Sequence, residues 1–254
     1  MHIVKCWLRW MIVAAFAALS PITGIARAQP AGSTQDVDLL LVLAADVSRS
    51  IDEIKFKLQR DGYAAAITDP AIVRAMQSAG PKKRIALMFI EWAGAGETKV
   101  IVDWTSVGSP EDARAFADGL LAAPRPFYGR TAIGGAIEIS LAQLALSPFR
   151  SDRKIIDVSG DGTNNAGREV TEARDQAIAA GVVVNGVVIL SKIPLPFNPA
   201  HTHPMGGLLA YYENNVIGGP GSFALAAESF ETFGQALRTK LIKEIAAAAS
   251  VPPG

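Results

Sequence analysis

The sequence has one cysteine, no excess of either charge and only one long apolar run near its start. A single cysteine, Cys6, excludes an internal disulfide framework. Lys and Arg together number 24, as do Asp and Glu, and no basic run stands out, which argues against a dedicated nucleic-acid-binding protein. Half of the 254 residues are hydrophobic, so the chain is not largely disordered and is long enough for one full α/β domain.

The apolar run has the pattern of an export signal. Lys5 and Arg9 precede the apolar residues 10–19, and the small residues that signal peptidase requires follow at 26–28. A membrane anchor is the alternative, but a spanning helix needs about 20 apolar residues. We therefore predict cleavage near Ala28 and a periplasmic or secreted mature chain without stable membrane insertion.

Apolar runs that alternate with helical patterns predict an α/β domain with a doubly wound, mostly parallel sheet and helices on both faces. The predicted strands are residues 38–45, 84–93, 99–104, 154–159, 182–190 and 222–226. The predicted helices are residues 51–68, 70–78, 109–122, 132–146, 169–180 and 229–248. A glycine-containing turn joins 84–93 to 99–104, which predicts one antiparallel edge strand.

This pattern predicts one folded domain between short terminal segments. Residues 1–28 are the predicted signal peptide, 29–36 a flexible lead-in, 37–248 a single domain and 249–254 a tail. Within the domain, residues 191–221 form a predicted insertion rich in proline and glycine.

Oxygen-bearing side chains follow several of the predicted strands and loops. Asp46, Ser48 and Ser50 form a D-x-S-x-S pattern after the first long strand, Asp161 follows strand 154–159, and Thr131 opens a helix. Ligands of doubly wound sheets bind beyond the carboxyl ends of the strands, so we expect these five residues at one rim. Two carboxylates and three hydroxyls suit a hard divalent cation: Mg²⁺, with Mn²⁺ or Ca²⁺ as alternatives.

The charge of such a site favours an acidic partner. If the hydroxyls bind the metal directly and the aspartates act through water, the ion remains electrophilic and can take an Asp or Glu carboxylate from another protein. Each residue also has a purely structural interpretation. Ser48, Ser50 or Thr131 would cap a following helix, and Asp161 would shape an Asx turn.

The D-x-S-x-S, Thr and Asp pattern resembles the metal-ion-dependent adhesion site (MIDAS) of von Willebrand factor type A (VWA) domains. The resemblance covers about residues 36–248 and implies that fold and a non-catalytic, metal-dependent binding function. Residues 58–63, 129–133 and 215–221 are in addition similar to recurring segments of a bacterial group of exported VWA-like proteins of unknown function. The insertion 191–221 departs from the wider family.

A metal-dependent hydrolase, such as a phosphoesterase, is the alternative to a binding domain. Hydrolysis needs a nucleophile and a general acid or base, and the five residues include no His, Lys or Cys. The sequence also has no G-x-S-x-G or H-E-x-x-H motif. We therefore predict a binding domain; a scaffold that has lost its metal and binds through the same surface is a third possibility.

Other residues have two interpretations each. His201 and His203 are a possible two-histidine metal pair, but the prolines around them favour a solvent-facing loop. Arg49 lies at a variable position of the motif, where it either attracts an acidic partner or is simply solvated.

The adjacent Gly134 and Gly135 indicate close helix packing rather than a phosphate-binding loop, because no P-loop motif accompanies them. Tyr211 and Tyr212 either contact a partner or pack beneath the insertion.

Overall fold

The computed structural model describes residues 34–246, so the predicted signal peptide and the tail lie outside the described part. Its main sheet has six strands: β2 (Leu40–Asp46), β3 (Ile85–Trp92), β4 (Thr98–Val107), β6 (Lys154–Gly160), β7 (Val183–Ile189) and β8 (Ala224–Ala227). Their order in the sheet is β4-β3-β2-β6-β7-β8, and only the β3–β4 pair is antiparallel. This confirms the predicted doubly wound sheet with one antiparallel edge strand.

Helices cover both faces of this sheet. The longer helices are α1 (Glu53–Ile67), α2 (Pro70–Gln77), α3 (Pro110–Ala122), α4 (Ile133–Ala145), α5 (Val170–Ala179) and α8 (Phe233–Ala246). Helices α1, α2, α3 and α8 pack on one face, whereas α4 and α5 pack on the other. Every residue of β2 is buried, with Leu41 and Leu43 in one core and Leu40 and Val42 in the other. This two-sided burial explains why β2 is a continuous apolar run.

Two details of the fold differ from the predicted elements. Strand β1 (Gln35–Asp36) pairs in parallel with β5 (Phe149–Arg150), so the last two residues of the expected lead-in belong to a small ladder. Strands of two residues have too little pattern to be predicted. Helix α8 begins at Phe233 because Ser229 and Thr232 form a hydrogen-bonded turn before it.

The insertion 191–221 is packed against the domain. It contains α6 (Pro199–Thr202), α7 (Leu208–Tyr211) and a π-helical turn (Tyr212–Val216). Tyr212 and Val216 are buried in the core beside α4 and α5, and Gly218 forms an antiparallel bridge with Val184. The second half of the insertion is therefore part of the core, which its proline and glycine content did not indicate.

The residues described by the structure contain no helix that is both long enough and apolar enough to cross a membrane.

Gly134 and Gly135 of α4 are expected to respond in opposite ways to alanine. A Cβ at Gly134 would lie 2.4 Å from the carbonyl oxygen of Arg168, whereas a Cβ at Gly135 would meet nothing closer than 3.8 Å. Gly134→Ala should lower the free energy of unfolding by about 1–3 kcal/mol through overpacking. Gly135→Ala should raise it by about 0.5–1 kcal/mol, since alanine favours a helix interior.

Urea denaturation of the two variants and the native chain measures both effects. Equal effects of the two substitutions would contradict the close approach of Arg168 to the helix.

Candidate metal centre

The candidate site lies where the order of the strands reverses. From β2 the chain adds β3 and β4 toward one edge of the sheet, and later adds β6, β7 and β8 toward the other. Asp46 is the last residue of β2, and Asp161 directly follows β6. Because β2 and β6 are parallel neighbours, both aspartates leave the sheet at the same edge. This is the position at which doubly wound sheets bind their ligands.

The structure brings all five predicted residues together, and all five are buried. The Ser48 Oγ lies 3.0 Å from the Ser50 Oγ and 3.3 Å from the Thr131 Oγ1. Ser50 donates a hydrogen bond of 2.6 Å to the Asp161 Oδ1, and the Ser48 amide donates one of 2.7 Å to the Asp46 Oδ1. Three separate loops therefore contribute to one cluster of oxygen atoms.

None of the three hydroxyls caps a helix. The N-cap of α1 is Asp52, whose side chain accepts a hydrogen bond from the Lys55 amide. The N-cap position of α4 is Ala132, which has no capping side chain. The structural interpretation of Ser48, Ser50 and Thr131 as caps is therefore wrong. Their hydroxyls face one another instead.

The two aspartates are destabilised as anions in this environment. Burial, and next the negative charge of Asp161, raise the pKa of Asp46 well above its usual value. Burial also raises the pKa of Asp161. The Asp46 Oδ2 is buried and has no hydrogen-bond partner among residues 34–246. Two buried carboxylates with an unpartnered oxygen fit a cation, because a positive charge between them would remove their repulsion.

The atoms of this site that could bind a metal are side-chain oxygens rather than His nitrogens or Cys sulfurs. Within residues 34–246, no three His, Cys, Asp or Glu side chains gather into a metal-binding group. Any ion held here would depend on the hydroxyls of Ser48, Ser50 and Thr131, with the two aspartates supplying negative charge. Such a set matches the preference of hard divalent cations for oxygen.

Two basic side chains, those of Arg125 and Lys55, form hydrogen bonds with the backbone of the D-x-S-x-S loop. The guanidinium of Arg125 donates to the carbonyl oxygens of Val47 (2.8 Å), Ser48 (3.1 Å) and Ile51 (2.7 Å). The ammonium of Lys55 donates to the Ser50 carbonyl at 2.9 Å. Neither positioning residue could be predicted from the sequence. Arg125 belongs to no motif and is 78 residues from Val47 in sequence, so no local signal marks it.

His201 lies inside the site, which corrects the expectation of a solvent-facing loop. It is buried, and its Nε2 lies 3.3 Å from the Thr131 Oγ1, whereas His203 is exposed. The two histidines therefore do not form a metal-binding pair. Asn165 accepts from the Thr131 amide through Oδ1, which leaves its Nδ2 to donate to the His201 Nδ1 at 3.2 Å. The Nδ1 atom therefore accepts a hydrogen bond, and the single ring proton of the neutral imidazole lies on Nε2, which faces Thr131.

The hydroxyl group of Tyr212 lies beside Gly160, next to the candidate site. A Cβ at Gly160 would lie 2.5 Å from the Tyr212 hydroxyl oxygen and 3.2 Å from the Asp46 Oδ2. Only glycine at position 160 leaves room for both groups. Tyr212 is fully buried, so of the two interpretations the structure supports packing beneath the insertion. Tyr211 is partly buried, and its hydroxyl accepts a hydrogen bond from the Asn164 amide.

This chain matches one family model and resembles several solved structures. The model of a family described as "Protein of unknown function (DUF1194)" matches residues 36–249. A search of curated proteins found no match. Among solved structures, proximal thread matrix protein 1 from the mussel byssus is 17% identical with a TM-score of 0.56, over 85% of this chain and 50% of that chain. Another structure of that protein, with a zinc-occupied MIDAS motif, is 15% identical with a TM-score of 0.58 over the same shares.

Two bacterial structures share the fold as well. The open conformation of the pilus adhesin SpaC from Lactobacillus rhamnosus GG is 15% identical with a TM-score of 0.58, over 84% of this chain and 30% of that chain. A von Willebrand factor type A structure from Catenulispora acidiphila is 13% identical with a TM-score of 0.54, over 82% of this chain and 43% of that chain. This chain spans about half the length of the mussel protein and less than a third of the adhesin. The shared fold is that of a VWA domain.

Proposed function

Since this chain belongs to the DUF1194 family of proteins of unknown function and has a VWA fold, we propose that it is an exported, non-catalytic binding domain. It holds a divalent cation at Asp46, Ser48, Ser50, Thr131 and Asp161, and captures an Asp or Glu carboxylate of a protein partner. The observation that carries the proposal is the cluster of five buried oxygen-bearing side chains at the strand-order reversal. None of its hydroxyls has a helix-capping role.

The proposed cation is Mg²⁺, with Mn²⁺ or Ca²⁺ as alternatives of the same ligand preference. When bound, the ion supplies an electrophilic centre that accepts a carboxylate. The zinc-occupied MIDAS motif of the mussel protein supports a divalent ion at the same type of motif. The raised pKa of Asp46, caused first by burial and then by Asp161, is further support, because a cation would stabilise both anions.

The five site residues have two different roles toward the ion. The hydroxyls of Ser48, Ser50 and Thr131 bind the ion, and the carboxylates of Asp46 and Asp161 balance its charge. Because only two acids contribute, the loaded site is not saturated with negative charge and still attracts an outside carboxylate. Arg125 and Lys55 of α1 hold the backbone that carries the serines.

His201 does not favour the hydrolase alternative, although it brings an imidazole to the site. Its Nε2 faces Thr131, and its Nδ1 lies within hydrogen-bonding distance of Asn165 and Thr163. Because the Asn165 amide donates to Nδ1, Nε2 carries the proton and cannot accept one from the Thr131 hydroxyl as a general base would. We assign His201 to the positioning of the Thr131 hydroxyl.

Export follows from the predicted signal peptide at residues 1–28. A periplasmic or extracellular position places the domain where Mg²⁺ and Ca²⁺ are available and where surface proteins are its partners. The description of one structural relative as a pilus adhesin is compatible with this role.

Stabilisation by metal tests the site. At a Mg²⁺ concentration of 100 times Kd, the native chain should gain about 2.7 kcal/mol in the free energy of unfolding. Thr131→Val and Asp161→Asn should lose most of this gain, because each removes an oxygen ligand or a balancing charge. In EDTA, Asp161→Asn should be at least as stable as the native chain, since it relieves the repulsion with Asp46.

Thr68→Val is the matched control, because the Thr68 hydroxyl donates to the Ala64 carbonyl at the far end of α1. It should leave the response to Mg²⁺ unchanged. The metal assignment fails if Thr131→Val and Asp161→Asn respond to Mg²⁺ and EDTA as the native chain does. Turnover of phosphate esters with Mg²⁺ or Mn²⁺ that disappears in Asp46→Asn would replace the binding function by the hydrolase.

A further inference from the structure

A cavity of about 460 Å³ opens directly over the candidate metal centre. Ser50 and Thr131 form part of its floor, so a ligand in the cavity would reach the proposed ion. This volume lies within the range of about 300–1,000 Å³ typical of ligand sites and exceeds what one carboxylate needs. The walls of the cavity therefore contribute to the choice of partner.

One wall of the cavity carries two positive charges. Arg49 and Arg130 both line it, and both are exposed. Neither forms an ion pair with any carboxylate within residues 34–246. Arg130 also donates to the Asn165 carbonyl, which holds its guanidinium at the rim. The charges of Asp46 and Asp161 would be used by a divalent ion, so the arginines remain available for an anion that enters from outside.

Another part of the lining is apolar and comes from the insertion. It consists of Leu195, Pro196 and Phe197, and the Phe197 side chain is fully exposed. The Leu195 amide donates to the Thr202 Oγ1 at 3.3 Å, next to the buried His201. This hydrogen bond links the apolar lining to the segment that carries His201, which contacts Thr131 of the metal centre. A small molecule confined to the cavity would leave Phe197 in water, whereas a protein segment that continues beyond the rim would cover it.

We propose that the partner presents a segment with two acidic side chains next to one another and an apolar side chain beside them. One carboxylate binds the metal ion, the second pairs with Arg49 and Arg130, and the apolar side chain packs on Phe197. This specificity rests on the proposed metal-dependent function. Guanidinium groups suit the second carboxylate because they form two parallel hydrogen bonds with it.

Blocked synthetic peptides in saturating Mg²⁺ test the proposal by calorimetry. The probes are a peptide with one Asp among Ala and Ser, the same peptide with a second, adjacent Asp, and a third with Leu beside the acidic pair. The second acid should raise the affinity for the native chain about tenfold. The added Leu should raise it further, by about three- to tenfold.

Variants separate the contributions of the two walls. Arg49→Gln with Arg130→Gln should abolish the preference for the second acid, while the stabilisation by Mg²⁺ and the binding of the single-acid peptide remain. Phe197→Ser should abolish only the gain from Leu. Arg114→Gln with Arg238→Gln is the control, since it removes the same charge from exposed positions on α3 and α8. It should leave the preference intact.

Each contrary result has a distinct meaning. Equal affinity of the native chain for the peptides with one and two acids, or a preference that survives in the double Arg49 and Arg130 variant, overturns this inference alone. Free succinate that binds as tightly as the third peptide overturns the protein partner in favour of a small dicarboxylate. If no acidic peptide binds in a Mg²⁺-dependent way, the proposed function itself fails, and this specificity with it.

Discussion

Lys240→Met is expected to lower the free energy of unfolding by about 3–5 kcal/mol, the largest effect of any single substitution considered for this chain. Lys240 of α8 is completely buried, and its ammonium lies 2.7 Å from the Asp157 Oδ1 and in contact with Glu244. Neither oxygen of the Asp157 carboxylate accepts a hydrogen bond within residues 34–246, so the ion pair with Lys240 is what stabilises it there. Methionine would fill the space but would leave Asp157 as an uncompensated buried charge.

Urea denaturation at neutral pH measures this loss. Lys243→Met is the matched control, because Lys243 lies one turn away on the same helix but is exposed, lies over the ring of Phe223 and forms no ion pair within residues 34–246. It should change stability by less than about 0.5 kcal/mol. Combining Lys240→Met with Asp157→Leu and Glu244→Gln should recover most of the loss, since the whole charged group is then gone. A Lys240→Met variant as stable as the native chain would show that the ion pair of Lys240 and Asp157 does not stabilise the fold.

Glu244, the other carboxylate next to Lys240, is expected to make the free energy of unfolding decrease as pH rises from about 5 to 7.5. Burial, and next the negative charge of Asp157, raise the pKa of Glu244 from its usual 4.5 to about 7, although Lys240 and Asn185 act in the opposite direction. Between these values the folded chain binds the proton that the unfolded chain has released, so protonation favours the folded state. At about 1.4 kcal/mol for each pH unit, Glu244 alone accounts for a decrease of about 3 kcal/mol, which ends above pH 7.

Glu244→Gln isolates this contribution. A glutamine can accept the hydrogen bonds of Lys240 and Asn185 but has no proton to lose, so the difference in stability between variant and native chain should grow in favour of the variant up to about pH 7. Denaturation curves at several pH values measure that difference. A difference that stays constant from pH 5 to 7.5 would mean that Glu244 titrates equally in the folded and unfolded states.

Much of the candidate site could be predicted because its signals are local. The spacing of Asp46, Ser48 and Ser50 places three oxygen-bearing side chains within five residues, at the end of a strand whose burial is evident from its composition. Asp161 and Thr131 lie at the ends of other predicted elements. The rule that parallel strands end at one edge then predicts a common position for all five, and the structure brings them together there.

The groups that hold this cluster were not predictable, because they act over long sequence distances. Arg125 contacts the D-x-S-x-S loop from a segment without a motif. The buried pair of Lys240 and Asp157 has the same origin, because it forms only once α8 has packed on β7 and β8 beside β6. His201 was misjudged for a related reason. Its neighbouring prolines indicate a loop, but the local sequence does not reveal that this loop folds back onto Thr131.

The sequence by itself determined the order of strands and helices, the one antiparallel edge and the five candidate ligands, since hydrophobic periodicity and turn residues are properties of neighbouring positions. Only the tertiary structure decided which charges share a buried space and which wall faces the proposed ion. Insertion residues 191–221 show the difference most clearly. Their composition indicates a loop, whereas their packing places His201 and Tyr212 against the site and Phe197 at its rim, because burial depends on contacts that the chain forms only after folding.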